Sequence, residues 1–210
     1  MATTSPAPRH GSVPGHIAWV GTQVVRPPGS VPDLDERALR VLVDASLALG
    51  IRWLTIQDPS CGRALREHAR ELAGRGVTVA DVPEASPDGA PRPRVLAHVE
   101  SPVLQVLLAG ARSGRAEIVR ALRVLAAQGT RPGDVKEATI GDALGVPDVD
   151  LVVLTGGDRR VPDLLVWQVA YSEIVVIDDP WPEVDEELLR AVVSEYQRRD
   201  RRYGGLVAPR

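Results

Sequence analysis

Short apolar runs of strand length alternate with helix-spaced apolar stripes along the chain, and that order narrows the fold more than any other feature. Residues 17–20, 52–57, 77–82, 150–154 and 174–177 read as strands, and 95–99 and 104–109 are further apolar runs of strand length. Between them, Leu39, Leu42, Val43, Ser46 and Leu49 recur at helical spacing behind Asp33 and Glu36, a pair suited to a capping box, and Gly50 stops the run. Leu65, Ala69, Leu72 and Ala73 mark a second helix, closed by Gly74 and Gly76. Ile118, Ala121, Leu122 and Leu125 form the inner stripe of a third, with Ser113 as its cap. Residues 164–171 read as a helix, and a last one runs from about Glu186 to Arg201 with Leu189, Val192, Val193 and Tyr196 inward. Its acidic start and basic end both suit the helix dipole.

Strands that alternate with helices predict an α/β fold: a single domain whose sheet of about six strands is largely parallel and carries helices on both faces. Ligands of such sheets bind beyond the carboxyl ends of the strands. The candidate positions are therefore 21–26, 57–63, 110–115 and 155–163. Residues 1–15 hold Pro, Ser, Thr and Gly without periodicity and read as a disordered tail. The domain is assigned to 16–205 with 206–210 as a C-terminal tail, and 83–94 as a surface loop.

The 210 residues suffice for one domain with a proper core. With no Phe, three Tyr and four Trp, branched aliphatic residues and alanine must fill it. The tryptophans, Trp19, Trp53, Trp167 and Trp181, read as packing residues. A net charge of −3 creates no field that would draw nucleic acid. Cys61, the single cysteine, cannot form an internal disulfide and suits a reducing cytosol, so a cytoplasmic location is expected. No apolar run approaches the roughly 20 residues that span a bilayer, so no transmembrane segment is expected; any membrane association would come through a lipid product. His10, His16, His68 and His98 share no metal-ligand spacing, and His16 at a strand start reads as structural. Asp178 and Asp179 stand before Pro180, as in a turn.

Several segments carry more than periodicity. His16-Ile17-Ala18 is followed by Arg26, Gly50-Ile51-Arg52-Trp53-Leu54-Thr55 comes next, and Gly114 to Ala121 reads GRAEIVRA. Leu154 to Gln168 reads LTGGDRRVPDLLVWQ, continued by Ala170-Tyr171-Ser172-Glu173, Trp181-Pro182 and Arg201-Arg202-Tyr203-Gly204-Gly205. In this order, spread over residues 16–205, they resemble the cis-prenyltransferase family, which includes undecaprenyl diphosphate synthases. That family joins isopentenyl diphosphate to an allylic diphosphate with cis double bonds. The chemistry needs Mg²⁺ on the leaving diphosphate, arginines and main-chain N–H groups on both diphosphates, and an apolar tunnel for the product.

The departures fall on those parts. The family's metal aspartate is Thr22, an uncharged ligand that suits Mg²⁺ poorly. Its glycine-rich cradle is Gln23-Val24-Val25. The first arginine of its RTGGEQR stretch is Leu154, the serine after the second is Pro162, a phenylalanine is Pro59, and Gly62-Arg63-Ala64 replaces an ENW triplet. What survives is Arg26, Arg160, Glu173, Arg202 and Gly204. The resemblance implies that Arg26 and Arg160 meet a diphosphate. It also implies that Arg202 and Gly204, the RxG tail, help hold isopentenyl diphosphate in a partner's site. Leu164, Trp167, Gln168, Tyr171 and Glu173 would line the dimer interface. Glu173 is a second-metal-site carboxylate in catalytic relatives; here, without an aspartate partner, a structural or interface role is expected of it.

Three functions fit this pattern. The first is a non-catalytic subunit of the Nogo-B receptor type, inactive alone, in a heterodimer with a catalytic homologue that makes polyprenyl diphosphate and holds the Mg²⁺. The second is a divergent enzyme, paired with itself as a homodimer, in which another carboxylate such as Asp58 takes over the metal. The third is a module that binds an isoprenoid or a diphosphate without turnover.

Overall fold

The computed structural model describes residues 12–20, 36–57, 62–82, 94–109, 114–157, 159, 163–178 and 185–200. These residues form a sheet of seven strands, β1 (His16–Val20), β2 (Trp53–Gln57), β3 (Val77–Val82), β4 (Arg94–Ala97), β5 (Leu104–Ala109), β6 (Leu151–Leu154) and β7 (Glu173–Val176). The helices are α1 (Glu36–Leu49), α2 (Gly62–Gly74), α3 (Gly114–Ala127), α4 (Glu137–Leu144) and α5 (Glu186–Arg198). The expected α/β architecture is observed, with one strand more than the expected six. The extra one is β4, which pairs antiparallel with β3 at the sheet edge, while every other pair is parallel.

The strand order is β4-β3-β5-β2-β1-β6-β7. From β1 the chain builds outward through β2 on one side and returns to lay β6 and β7 on the other. The reversal falls between β1 and β6, and the crevice at such a point is where parallel sheets of this kind take ligands. β1 is buried at all five residues, which is why it reads as an unbroken apolar run and not as an alternation. Its odd residues, Ile17 and Trp19, face a core built with Leu39, Leu42 and Val43 of α1, Ala69 and Leu72 of α2, and Leu189, Val192, Val193 and Tyr196 of α5. Its even residues, Ala18 and Val20, face a smaller cluster with Ala109, Val152, Leu154, Leu164 and Leu165.

Three expectations are corrected. Residues 164–171 form bends and turns, because Leu165 stands at φ 49, a value no right-handed helix accommodates. In α3, Ala121 and Leu125 are buried but Leu122 is 43 % exposed. The inward line passes through Gly114, Ile118, Ala121 and Leu125, and Leu122 lies one residue outside it. The last helix ends at Arg198 and not Arg201, since Arg199 turns back to bond β7. Asp185 opens α5, its carboxylate accepting from Leu188 N–H at 2.8 Å. Asp33, Cys61, Ser113 and both expected tails beyond residues 12 and 200 lie outside the described residues, and so does nearly all of the expected loop at 83–94. Among the described residues no helix is long and apolar enough to cross a membrane.

Candidate functional site

The crevice between β1 and β6 is bounded by a glycine turn. Thr155, directly after β6, is buried, and its N–H and hydroxyl both donate to the Val20 main-chain oxygen, at 3.1 and 3.4 Å. Gly156 and Gly157 follow at φ 77 and 76, a backbone region open to glycine at little cost. Gly157 N–H then donates to the Ile177 oxygen at 3.1 Å. This short turn therefore ties together the carboxyl ends of β1 and β6 and the segment just beyond β7. The sequence marks Thr155-Gly156-Gly157 as a glycine turn at the start of the candidate stretch 155–163 and as part of a resemblance; its role as a knot between three strand ends needs the fold.

Residues 163–166 cross behind the crevice. Leu164 and Leu165 share one cluster with Ala109 at the end of β5, Val20 at the end of β1 and Leu154 at the end of β6. Gly114, the first residue of α3, donates its N–H to Asp163 at both the main-chain oxygen and Oδ1. The cap of α3 thus comes from far along the chain, a pairing that local spacing does not reveal. Arg120 of α3 points inward as well and donates to the oxygens of Ala143 and Leu144, closing the C-terminal end of α4.

The strand ends described around the crevice are apolar. The last side chains of β1, β5 and β6 are Val20, Ala109 and Leu154, all buried and apolar. Glu173 stands opposite Leu151, at the start of the ladder that ends with Leu154 and Val176. That puts it about 10 Å back along the strands at roughly 3.3 Å per residue. Its carboxylate accepts from Arg199 Nη1 at 3.2 Å; the same guanidinium donates to the Ile174 oxygen at 2.9 Å and to Glu195. Among the described residues no three His, Cys, Asp or Glu side chains converge as metal ligands.

Of the other expected site residues, Thr22, Arg26, Asp58, Arg160, Arg202 and Gly204 lie outside the described residues. Leu164 and Gln168 are buried within the chain, Gln168 through a main-chain oxygen that accepts from Val149 N–H at 3.0 Å. Trp167 and Glu173 are half-buried, and Tyr171 is exposed beside exposed Ile174 on the edge strand β7. His16 sits at the opposite, amino end of β1, fully buried. Trp19 is buried, Trp53 packs its ring 5.9 Å from that of His16, and Trp181 is outside the described residues.

A largely parallel sheet with a strand-end crevice, its rim knotted by a glycine turn, defines a class of α/β ligand-binding domains. Within it, the chain belongs to the prenyltransferase family described as "Putative undecaprenyl diphosphate synthase", whose pattern it matches over residues 95–204. It is 34 % identical over 200 residues to isoprenyl transferase 2 of Bradyrhizobium diazoefficiens, a match covering 81 % of this chain and 79 % of that one. It is 37 % identical over 113 residues to isoprenyl transferase of Rhizobium meliloti, covering 50 % of this chain and 46 % of the relative. Its fold is similar to that of lavandulyl diphosphate synthase from Lavandula x intermedia, solved in complex with dimethylallyl diphosphate. The TM-score is 0.72 at 21 % identity, over 91 % of this chain and 98 % of that one.

Proposed function

We propose that this chain is the non-catalytic subunit of a heteromeric cis-prenyltransferase that makes polyprenyl diphosphate. The observation that carries this reading is Leu154. It closes β6 at the crevice, buried in an apolar cluster, at the position where the family pattern has an arginine. A buried leucine cannot make the phosphate contact that an arginine there would make. Val20 and Ala109 extend the same apolar rim, and Glu173 is engaged by Arg199 at the far end of its strand. The catalytic partner supplies Mg²⁺, whose charge stabilises the departing diphosphate.

The role of this chain is then to hold and position. Arg26 and Arg160 flank the crevice in sequence, and each offers a guanidinium suited to bidentate contact with phosphate oxygens. Arg199 ties the end of α5 to the amino end of β7. The last described residues, Arg199 and Asp200, therefore lie at the edge of the sheet, at the end away from this chain's own crevice. An RxG motif that follows them in sequence, Arg202 to Gly204, favours service to the isopentenyl diphosphate site of a neighbouring subunit. Tyr171 and Ile174 give the same edge an apolar surface for that neighbour.

The 34 % identity to an isoprenyl transferase favours a second reading: an enzyme that works as a homodimer, with Asp58 in place of the lost aspartate. One assay decides between them. The purified chain is incubated with farnesyl diphosphate, isopentenyl diphosphate and Mg²⁺, alone and mixed with a homologue that has the full aspartate motif. The subunit reading expects turnover only in the mixture, and Arg202→Ala should then cut it at least tenfold. Turnover by the chain alone would establish the homodimeric enzyme. Binding of a diphosphate with turnover in neither case would leave a binding module.

A further inference from the structure

Gly114 and Val166 approach so closely that a Cβ on Gly114 would stand 2.6 Å from Val166 Cγ2 and 2.8 Å from Val166 N. Gly114 is not among the glycines at positive φ, so glycine is needed here for space and not for conformation. On the same spot its N–H donates to Asp163 twice, to the main-chain oxygen at 3.0 Å and to Oδ1 at 3.1 Å. Between these two contacts lies Leu165, the one non-glycine among the described residues at positive φ. That region is unfavourable for any residue with a Cβ, and it persists only where the surroundings dictate it. They do so here. The Leu165 side chain is buried beside Val20 and Leu154, its oxygen accepts from Val169 N–H at 2.9 Å, and Asp163 before it and Val166 after it are both held against Gly114.

We infer that residues 163–166 are a strained clasp and that Asp163 is its positioning residue. The clasp locks the start of α3 to the floor of the crevice, under the ends of β5, β1 and β6. Because α3 follows β5 and the clasp follows β6, it couples two strand-end loops that the sheet itself leaves independent. Fixing the floor fixes the width of the crevice, and with it the hold on a diphosphate. That last step rests on the phosphate-binding role the preceding subsection proposes for Arg26 and Arg160; the clasp does not.

The test uses the full chain as wild type, Asp163→Ala, Asp163→Asn and Gly114→Ala. Asp163 is exposed, so its substitution leaves the core intact, and Asn keeps an acceptor at the same atom. Amide exchange is followed by NMR, and isopentenyl diphosphate is titrated calorimetrically. Asp163→Ala and Gly114→Ala should each speed exchange at the amides of residues 114 and 169 at least tenfold, with Leu54 and Val153 in the central strands unchanged. Both should weaken isopentenyl diphosphate binding at least tenfold, while Asp163→Asn stays within twofold of wild type or binds more tightly. Unchanged exchange in Asp163→Ala would overturn the clasp. Faster exchange with unchanged affinity would overturn the positioning role. Expected exchange in a chain that, as wild type, binds no isopentenyl diphosphate would uphold the clasp and sink the diphosphate reading instead.

Discussion

His16 Nε2 lies 2.9 Å from Thr55 Oγ1, and this contact fixes the state of a fully buried ring. On its other side, Nδ1 faces the oxygens of Pro147 and Asp148 at 3.1 and 3.2 Å. Main-chain oxygens only accept, so Nδ1 carries the proton and Nε2 accepts from the threonine hydroxyl. The ring is neutral and joins β1, β2 and the approach to β6.

Burial holds the His16 pKa down at about 4, against 6.5 for an ordinary imidazole, and outweighs the opposing pull of the two main-chain oxygens and Asp150. The unfolded chain therefore takes up a proton that the folded chain refuses. Stability should be full above pH 6.5 and fall as the pH drops from there to about 4, by up to about 3 kcal/mol. Urea midpoints at stepped pH measure the loss. An NMR titration of the His16 ring in the folded chain should show no midpoint above pH 5.5.

Gly156→Ala and Gly157→Ala each force a Cβ into the left-handed region, and at Gly157 the new atom also meets Asp178 Oδ1 at 3.3 Å. Each should cost about 1–2 kcal/mol. In a chain of this size that lowers the melting temperature by roughly 2–4 °C per kcal/mol, readable by calorimetry.

Leu154→Arg restores the residue of the family pattern but puts a charge into the cluster of Val20, Ala109 and Leu165. The expected loss exceeds about 3 kcal/mol in urea unfolding. If the chain is the proposed non-catalytic subunit, this variant alone shows no Mg²⁺-dependent turnover, even when Thr22→Asp is added.

The Arg199–Glu173 pair is partly exposed on both sides, at 31 % and 26 %. A double-mutant cycle with Arg199→Ala and Glu173→Ala should give a coupling of only about 0.5–1 kcal/mol. Arg199→Ala alone should cost more than that coupling, since it also abandons the Ile174 oxygen and Glu195.

Much of the fold is legible in the chain because β1, β2, β5 and β6 are predominantly apolar runs, and α5 carries a clean stripe from Leu189 to Tyr196. The short helix α4 escapes because Gly141 interrupts its pattern and Leu144 is its one buried residue. The antiparallel strand β4 is ambiguous, since a run of four residues carries no sign of its direction. The turns at 164–171 imitate a helix in composition; what overrides the spacing is Leu165, forced to positive φ by contacts with distant residues. For the same reason the Asp163–Gly114 bond and the His16–Thr55 bond were hidden: both join positions far apart in the chain. The motif residues were legible as a resemblance, whereas the apolar character of the crevice rim appears only once Val20, Ala109 and Leu154 are seen side by side.

At the amino end of the sheet, the Asp150 carboxylate accepts from the N–H groups of both Gly15 and His16, next to the buried imidazole. None of these groups touches the Thr155–Gly157 turn at the other end. The bonds that keep the domain upright and the loops that would touch a ligand thus occupy opposite shores of the same sheet. Sequence drift on the ligand shore leaves the foundation standing, and a chain built this way can lose its chemistry and go on folding.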